Sequence, residues 1–147
     1  KRAQEFIDNY FEQYSQIKDY MNKAVQEARD KGYAETIMHR RRYLPDIHAK
    51  KYTVRAFAER TAINSPIQGS AADIIKIAMI NMQKKLDELH LKTKMVVQVH
   101  DELIFDVPKD ELETIKKIVP EVMQSAVKLD VPLIADSGWG HNWYDAK

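Results

Sequence analysis

Two apolar runs meet at an acidic pair near the middle of the second half of the chain. Lys94-Met95-Val96-Val97-Gln98-Val99 leads into His100-Asp101-Glu102, and Leu103-Ile104-Phe105-Asp106-Val107-Pro108 follows. Both runs are rich in β-branched and aliphatic side chains, which suit a half-buried pleated surface. The polar group between them is short enough for a tight turn, and Pro108 ends the second run because it cannot donate to a ladder. The element reads as an antiparallel β-hairpin with a polar tip. Most of the remaining chain follows a three- and four-residue apolar period, so this hairpin commits the fold to the α+β class, with long helices packed on a small antiparallel sheet.

The helical segments come in order. Residues 2–31 predict one long amphipathic helix, with Phe6, Tyr10, Ile17, Met21 and Ala24 as its apolar stripe. That stripe reads as core rather than a cofactor box, or, in a fragment, partly as a face for a missing neighbour, and Gly32 is a natural stop. Tyr33–Ile37 and Arg42–Ile47 predict a second small hairpin with His39-Arg40-Arg41 at its turn. Val54–Leu89 predicts a second long helix. Pro66 lies inside it and should kink or break it, because proline lacks a donor and crowds the carbonyl of Ala62. Lys109 to Val127 predicts a helix with Pro120 in its pattern, and Val131–Ala135 a last strand. Ser137–Lys147 is a tail carrying Trp139, Trp143 and Tyr144.

The chain has 147 residues, the length of one ordinary domain, and no cysteine. Disulfide frameworks, thiolate metal sites and cysteine nucleophiles are therefore excluded. No apolar stretch approaches the roughly 20 residues of a membrane span. The net charge of +1 hides an asymmetry. Residues 29–60 hold nine basic and four acidic side chains, while 101–147 hold five basic and ten acidic. A basic middle and an acidic end suit a protein that holds a polyanion in one place and a cation in another, or two solvated faces of an ordinary domain. The first residue is Lys1 and no leader pattern follows it, so a piece of a longer chain is expected.

Two polar constellations stand out. At the hairpin tip, Asp101 and Glu102 are adjacent carboxylates that a turn can aim at one cation. Hard oxygen donors suit Mg²⁺, which takes one or two carboxylates plus waters and phosphates. A simple solvated turn is the other reading. On the long helix, Arg60, Asn64 and Gln68 recur every four residues and form one row. Their planar donors match the purine N3 and pyrimidine O2 acceptors that every base pair presents in the minor groove. On the pattern alone, an exposed helix edge that gathered amides by chance is the simpler reading. The cluster Arg40-Arg41-Arg42 suits phosphate contact or a solvated turn.

Taken together these strings carry a family resemblance. Gln98-Val99-His100-Asp101-Glu102 resembles motif C of the family A DNA polymerases, the bacterial DNA polymerase I family. Glu59-Arg60-Thr61-Ala62-Ile63-Asn64-Ser65-Pro66-Ile67-Gln68-Gly69-Ser70-Ala71-Ala72-Asp73 resembles the helix that precedes it. His39-Arg40-Arg41-Arg42-Tyr43-Leu44-Pro45-Asp46-Ile47 and the ending Trp143-Tyr144-Asp145-Ala146-Lys147 look like the same family's C-terminal region. The resemblance covers essentially the whole chain, and the motif pair is highly specific.

The resemblance implies the C-terminal palm of a polymerase with part of its fingers. Residues 1–52 would be a long helix plus small hairpin, and 53–147 a palm with a duplex-contacting helix, the motif C hairpin and a tail. Asp101 would bind the catalytic metal, with Glu102 in support and His100 close to the primer terminus. Arg60, Asn64 and Gln68 would contact primer–template DNA. The implied reaction joins a dNTP to a primer 3′-hydroxyl with two Mg²⁺ ions, in the bacterial cytoplasm. The motif A string of the Asp-Tyr-Ser-Gln-Ile-Glu type is absent, as is the fingers helix that grips the triphosphate. The expectation is therefore a fragment that needs the missing N-terminal part of the polymerase domain and is inactive alone. The rivals are a non-catalytic duplex DNA-binding module, a metal-dependent hydrolase using His100, Asp101 and Glu102, and an interaction protein with no site.

Overall fold

The structure is a computed structural model that describes residues 2–146. Lys147, the end of the expected tail, and Lys1 lie outside the described residues. Four α-helices and two antiparallel hairpins make up the fold, in the order α1 (Arg2–Gln13), α2 (Ser15–Lys31), β1 (Tyr33–Glu35), β2 (Arg41–Tyr43), α3 (Tyr52–Glu88), β3 (Lys94–Val99), β4 (Glu102–Asp106) and α4 (Leu112–Gln124). The α+β class is as expected. The β structure is divided into two separate two-stranded sheets, β1–β2 and β3–β4. The chain divides into two compact units at Ser70 and Ala71, within α3.

In the first unit, small residues let backbones approach closely. Ala28 from α2, Ala34 from β1, Leu44 and Ile47 from the following turn, and Ala58 and Ala62 from α3 form the core. Polar contacts tie the same elements together. Arg29 Nη2 donates to Glu59 Oε1 at 2.6 Å, and the Tyr20 hydroxyl donates to the Ile63 carbonyl at 3.0 Å. Gly32 closes α2 at φ 79°, a left-handed position that suits glycine.

Several expectations are corrected here. The helix expected over 2–31 is interrupted at Tyr14, which sits at φ −119°, ψ 57°. The apolar period runs straight through that residue, so the period does not reveal the break. The first part of the stripe expected to be core is exposed instead: α1 buries none of its residues and Phe6 is 71% exposed, while Met21 and Ala24 on α2 are half-buried. The second strand ends at Tyr43, because Pro45 opens a 3₁₀ helix over Pro45–His48. Proline's fixed φ fits the first position of a helix as well as it disfavours helix before itself.

Pro66 does not break α3, which runs unbroken for 37 residues. The Ser70 hydroxyl donates to the Pro66 carbonyl and accepts the Ile37 N–H at 3.0 Å, so the turn after the proline is tied to the small hairpin. Gly69 makes this approach possible: a Cβ there would stand 2.6 Å from the Thr36 methyl. Thr36 is itself buried, and its hydroxyl accepts the N–H groups of Met38 and Arg40.

In the second unit, Met82 and Leu86 of α3 pack on Ile115, Ile118 and Val119 of α4. Leu91, Phe105, Val107, Val122 and Met123 close around them. The helix expected over 109–127 is shorter, Leu112–Gln124, and Pro120 does not interrupt it. Val131–Ala135 forms no strand. Val131 and Ile134 are exposed, and the segment has no ladder partner among the described residues. β-Branched side chains alone do not make a strand without a neighbour to accept its hydrogen bonds.

Candidate active site and nucleic-acid interface

The antiparallel hairpin expected around His100-Asp101-Glu102 forms. β3 and β4 pair with Lys94 opposite Asp106 and Val99 opposite Glu102, with an irregularity between Met95 and Val97. His100 and Asp101 are therefore the two turn residues. His100 takes a positive φ of 54°, uncommon for a side chain of its size. The Gln98 side-chain amide donates to the His100 carbonyl at 2.6 Å and holds the turn from one side. The expected tip also held Glu102, but Glu102 opens β4 opposite Val99, so the turn itself carries one carboxylate, Asp101, with Glu102 next to it on the strand; His100, Asp101 and Glu102 are all exposed.

The foot of the hairpin is anchored by a buried carboxylate. Glu111, just before α4, is only 8% exposed. It accepts the Lys92 N–H at 2.7 Å, the Thr93 N–H at 2.9 Å and the Thr93 hydroxyl at 2.6 Å. The Thr93 hydroxyl and these backbone donors hold its carboxyl below the usual value of 4.5. Thr93 immediately precedes β3, so the strand that carries Asp101 starts from a fixed point. Nothing in the sequence signals this clamp, since Glu111 reads as an ordinary acid at the start of a helix.

The donors at the tip fit one side of a magnesium site and no more. Among the described residues no three His, Asp or Glu side chains gather closely enough to enclose a metal ion. Asp101 and Glu102 offer hard oxygens, of the number Mg²⁺ commonly takes from a protein when phosphates and water complete its shell.

The second set of residues lies on α3 in the first unit. Arg60, Asn64 and Gln68 are exposed, while Ala58 and Ala62 on the other side of the helix are buried. The Arg60 guanidinium lies 6.0 Å from the centroid of the Phe57 ring. Gln68 also borders a cavity of about 70 Å³ lined by Thr36, Arg40, Arg41, Arg42, Ser65 and other residues. Within the arginine cluster, Arg40 donates to the Gly69 carbonyl at 3.0 Å. Arg41 bonds Glu35 at 3.1 Å and stacks on Tyr33 at 4.6 Å, so it serves the hairpin. Arg42 is exposed.

A family model for DNA polymerase family A matches residues 1–145. The chain belongs to that family. Among its relatives are the DNA polymerase I of Bacillus subtilis, 57% identical, and that of Lactococcus lactis subsp. cremoris, 58% identical, each matched over all 147 residues. The chain spans 17% of the length of these relatives. A solved structure, the POL domain of Pol1 from M. smegmatis in complex with DNA primer-template and dNTP, superposes with a TM-score of 0.96 at 43% identity. That match covers 99% of this chain and 26% of the other. In this family A chain the turn carboxylates lie in one unit and the exposed α3 row in the other. Among the described residues no helix is long and apolar enough to cross a membrane.

Proposed function

We propose that this chain is the C-terminal palm portion, with part of the fingers, of a DNA-directed DNA polymerase. The complete enzyme transfers a dNMP from a dNTP to a primer 3′-hydroxyl with release of pyrophosphate. The observation that carries the reading is the exposed Asp101 at the tip of a hairpin anchored at its foot, in a chain of family A. The complex formed by the M. smegmatis relative supports primer–template DNA and dNTP as partners.

Each residue has a task in this reading. Asp101 holds Mg²⁺ at the reacting end, and Glu102 adds a second carboxylate beside it. Two such ions, when bound, lower the pKa of the attacking hydroxyl and stabilise charge on the attacking and leaving oxygens. His100, on the same turn, lies against the primer terminus. Arg60 neutralises a phosphate, and Asn64 and Gln68 donate to minor-groove acceptors that all four pairings share. Such contacts recognise the shape of a correct pair without reading sequence.

Asp101, with Glu102 in support, supplies one of the two aspartates that a two-ion site needs. The other aspartate, in a motif A strand, belongs to the missing N-terminal part of the domain, which is a required partner. The alternative is a non-catalytic duplex-binding module, favoured only by the exposed α3 row.

The test uses the complete polymerase. Asp101→Ala should lower primer extension about a thousandfold or more, the loss of several kcal/mol of transition-state stabilisation. Duplex affinity should stay within about twofold, because the binding row is untouched. Retained synthesis in Asp101→Ala would refute the catalytic assignment and leave the binding-module reading.

A further inference from the structure

Phe57 has no task in the reading above, yet its ring is 62% exposed on a helix whose other side is buried. Helix geometry sets its direction. At about 100° per residue, the seven residues from Phe57 to Asn64 return to within about 20° of the starting direction, and the eleven to Gln68 do the same. Phe57, Asn64 and Gln68 therefore share one face of α3, and all three are exposed. Arg60 points about 60° away on the same geometry. Its guanidinium still reaches back to lie 6.0 Å from the centre of the ring.

We infer that Phe57 is a further duplex-contact residue, whose ring packs on the deoxyribose rim of the groove faced by Asn64 and Gln68. The inference rests on the polymerase reading of the α3 row. The chemistry selects this occupant. A groove offers acceptors on its floor, phosphates along its edges, and the C–H faces of sugars on its walls. The amides suit the floor and Arg60 suits a phosphate, which leaves the sugar wall for an apolar ring. The guanidinium over the ring face keeps Arg60 close to the same stretch of backbone. Phe57 precedes Gln68 by about 16 Å along the helix, at about 1.5 Å per residue. It therefore meets the duplex several base pairs from the pair that Gln68 contacts.

The experiment measures primer–template affinity of the complete polymerase across a salt series, for Phe57→Ala, Phe57→Leu and Arg60→Ala. Phe57→Ala should weaken binding about fivefold, the value of a few tens of Å² of buried apolar surface. It should do so equally at every salt concentration, because no counterion is released by a ring. Phe57→Leu should recover most of the loss. Arg60→Ala should instead reduce the slope of log affinity against log salt by about one. Unchanged affinity in Phe57→Ala overturns the inference. If that comes with a lowered melting temperature, the ring is covered by another segment of the enzyme. Loss in Arg60→Ala without loss in Phe57→Ala defeats this inference alone. A wild-type enzyme that fails to bind duplex defeats the polymerase reading with it.

Discussion

Glu111 fixes the start of the strand that leads to Asp101. Its carboxylate replaces water for two backbone N–H groups and one hydroxyl at the foot of β3, and a buried group with this many donors is strongly disposed to stay charged. The direction of its shift sets a pH dependence. A carboxyl whose folded pKa lies below 4.5 contributes stability that is complete above that value. The contribution is lost as pH falls through the lower folded pKa. Melting temperature should therefore fall between about pH 7 and about pH 3.5 more steeply in wild type than in Glu111→Gln, which cannot titrate. The other carboxyls held low, including Glu27, Glu35 and Glu113, are common to both proteins and cancel in the comparison. Parallel curves for the two proteins would remove Glu111 from the acid response.

Elements show where periodicity is a sufficient guide and where it misleads. α3 carries its row of donors on one continuous helix because Pro66 does not break it, and the Ser70 hydroxyl donates to the Pro66 carbonyl. α1 has the opposite character. Its apolar residues recur as a core stripe should, but nothing in the described residues covers them. A face with Phe6, Ile7, Tyr10 and Tyr14 exposed is the kind that marks an interaction surface. In the polymerase reading the upstream part of the domain covers it. Phe6→Ser should then change the stability of the isolated chain by under about 0.5 kcal/mol, as for other exposed positions. In the complete polymerase it should cost about 1.5 kcal/mol or more, the value of a fully buried aromatic. Chemical denaturation of both forms checks this, and equal effects would mean the face stays bare.

At the scale of the whole molecule, the chain divides into two units that each have their own core. Among the described residues the β3–β4 hairpin has two strands, with Val96 and Val97 exposed. An unpaired edge of this kind is an invitation to another strand. In the polymerase reading Asp101 and Glu102 supply only part of a two-ion site, so the purified 147-residue chain should give no primer extension in Mg²⁺. The complete polymerase should extend the same primer. Robust synthesis by the short chain would show that the second aspartate is not needed and would overturn the proposed division of the site.

The sequence by itself determined the α+β class, a hairpin with its polar tip near His100-Asp101-Glu102, the stop at Gly32 and the helical row Arg60, Asn64, Gln68; the tertiary structure narrowed the turn to His100 and Asp101. Each of these depends on neighbours in the chain: turn chemistry, a glycine's access to positive φ, and the repeat of a helix. The tertiary structure decided the rest. It exposed the α1 stripe, carried α3 through Pro66, denied Val131–Ala135 a ladder and buried Glu111 beneath β3. It also left Phe57 beside the donor row with its ring exposed. These outcomes turn on which surfaces meet. An apolar period, a proline or a β-branched run has the same local preference whether or not a partner lies against it, and only the partner fixes what that preference becomes.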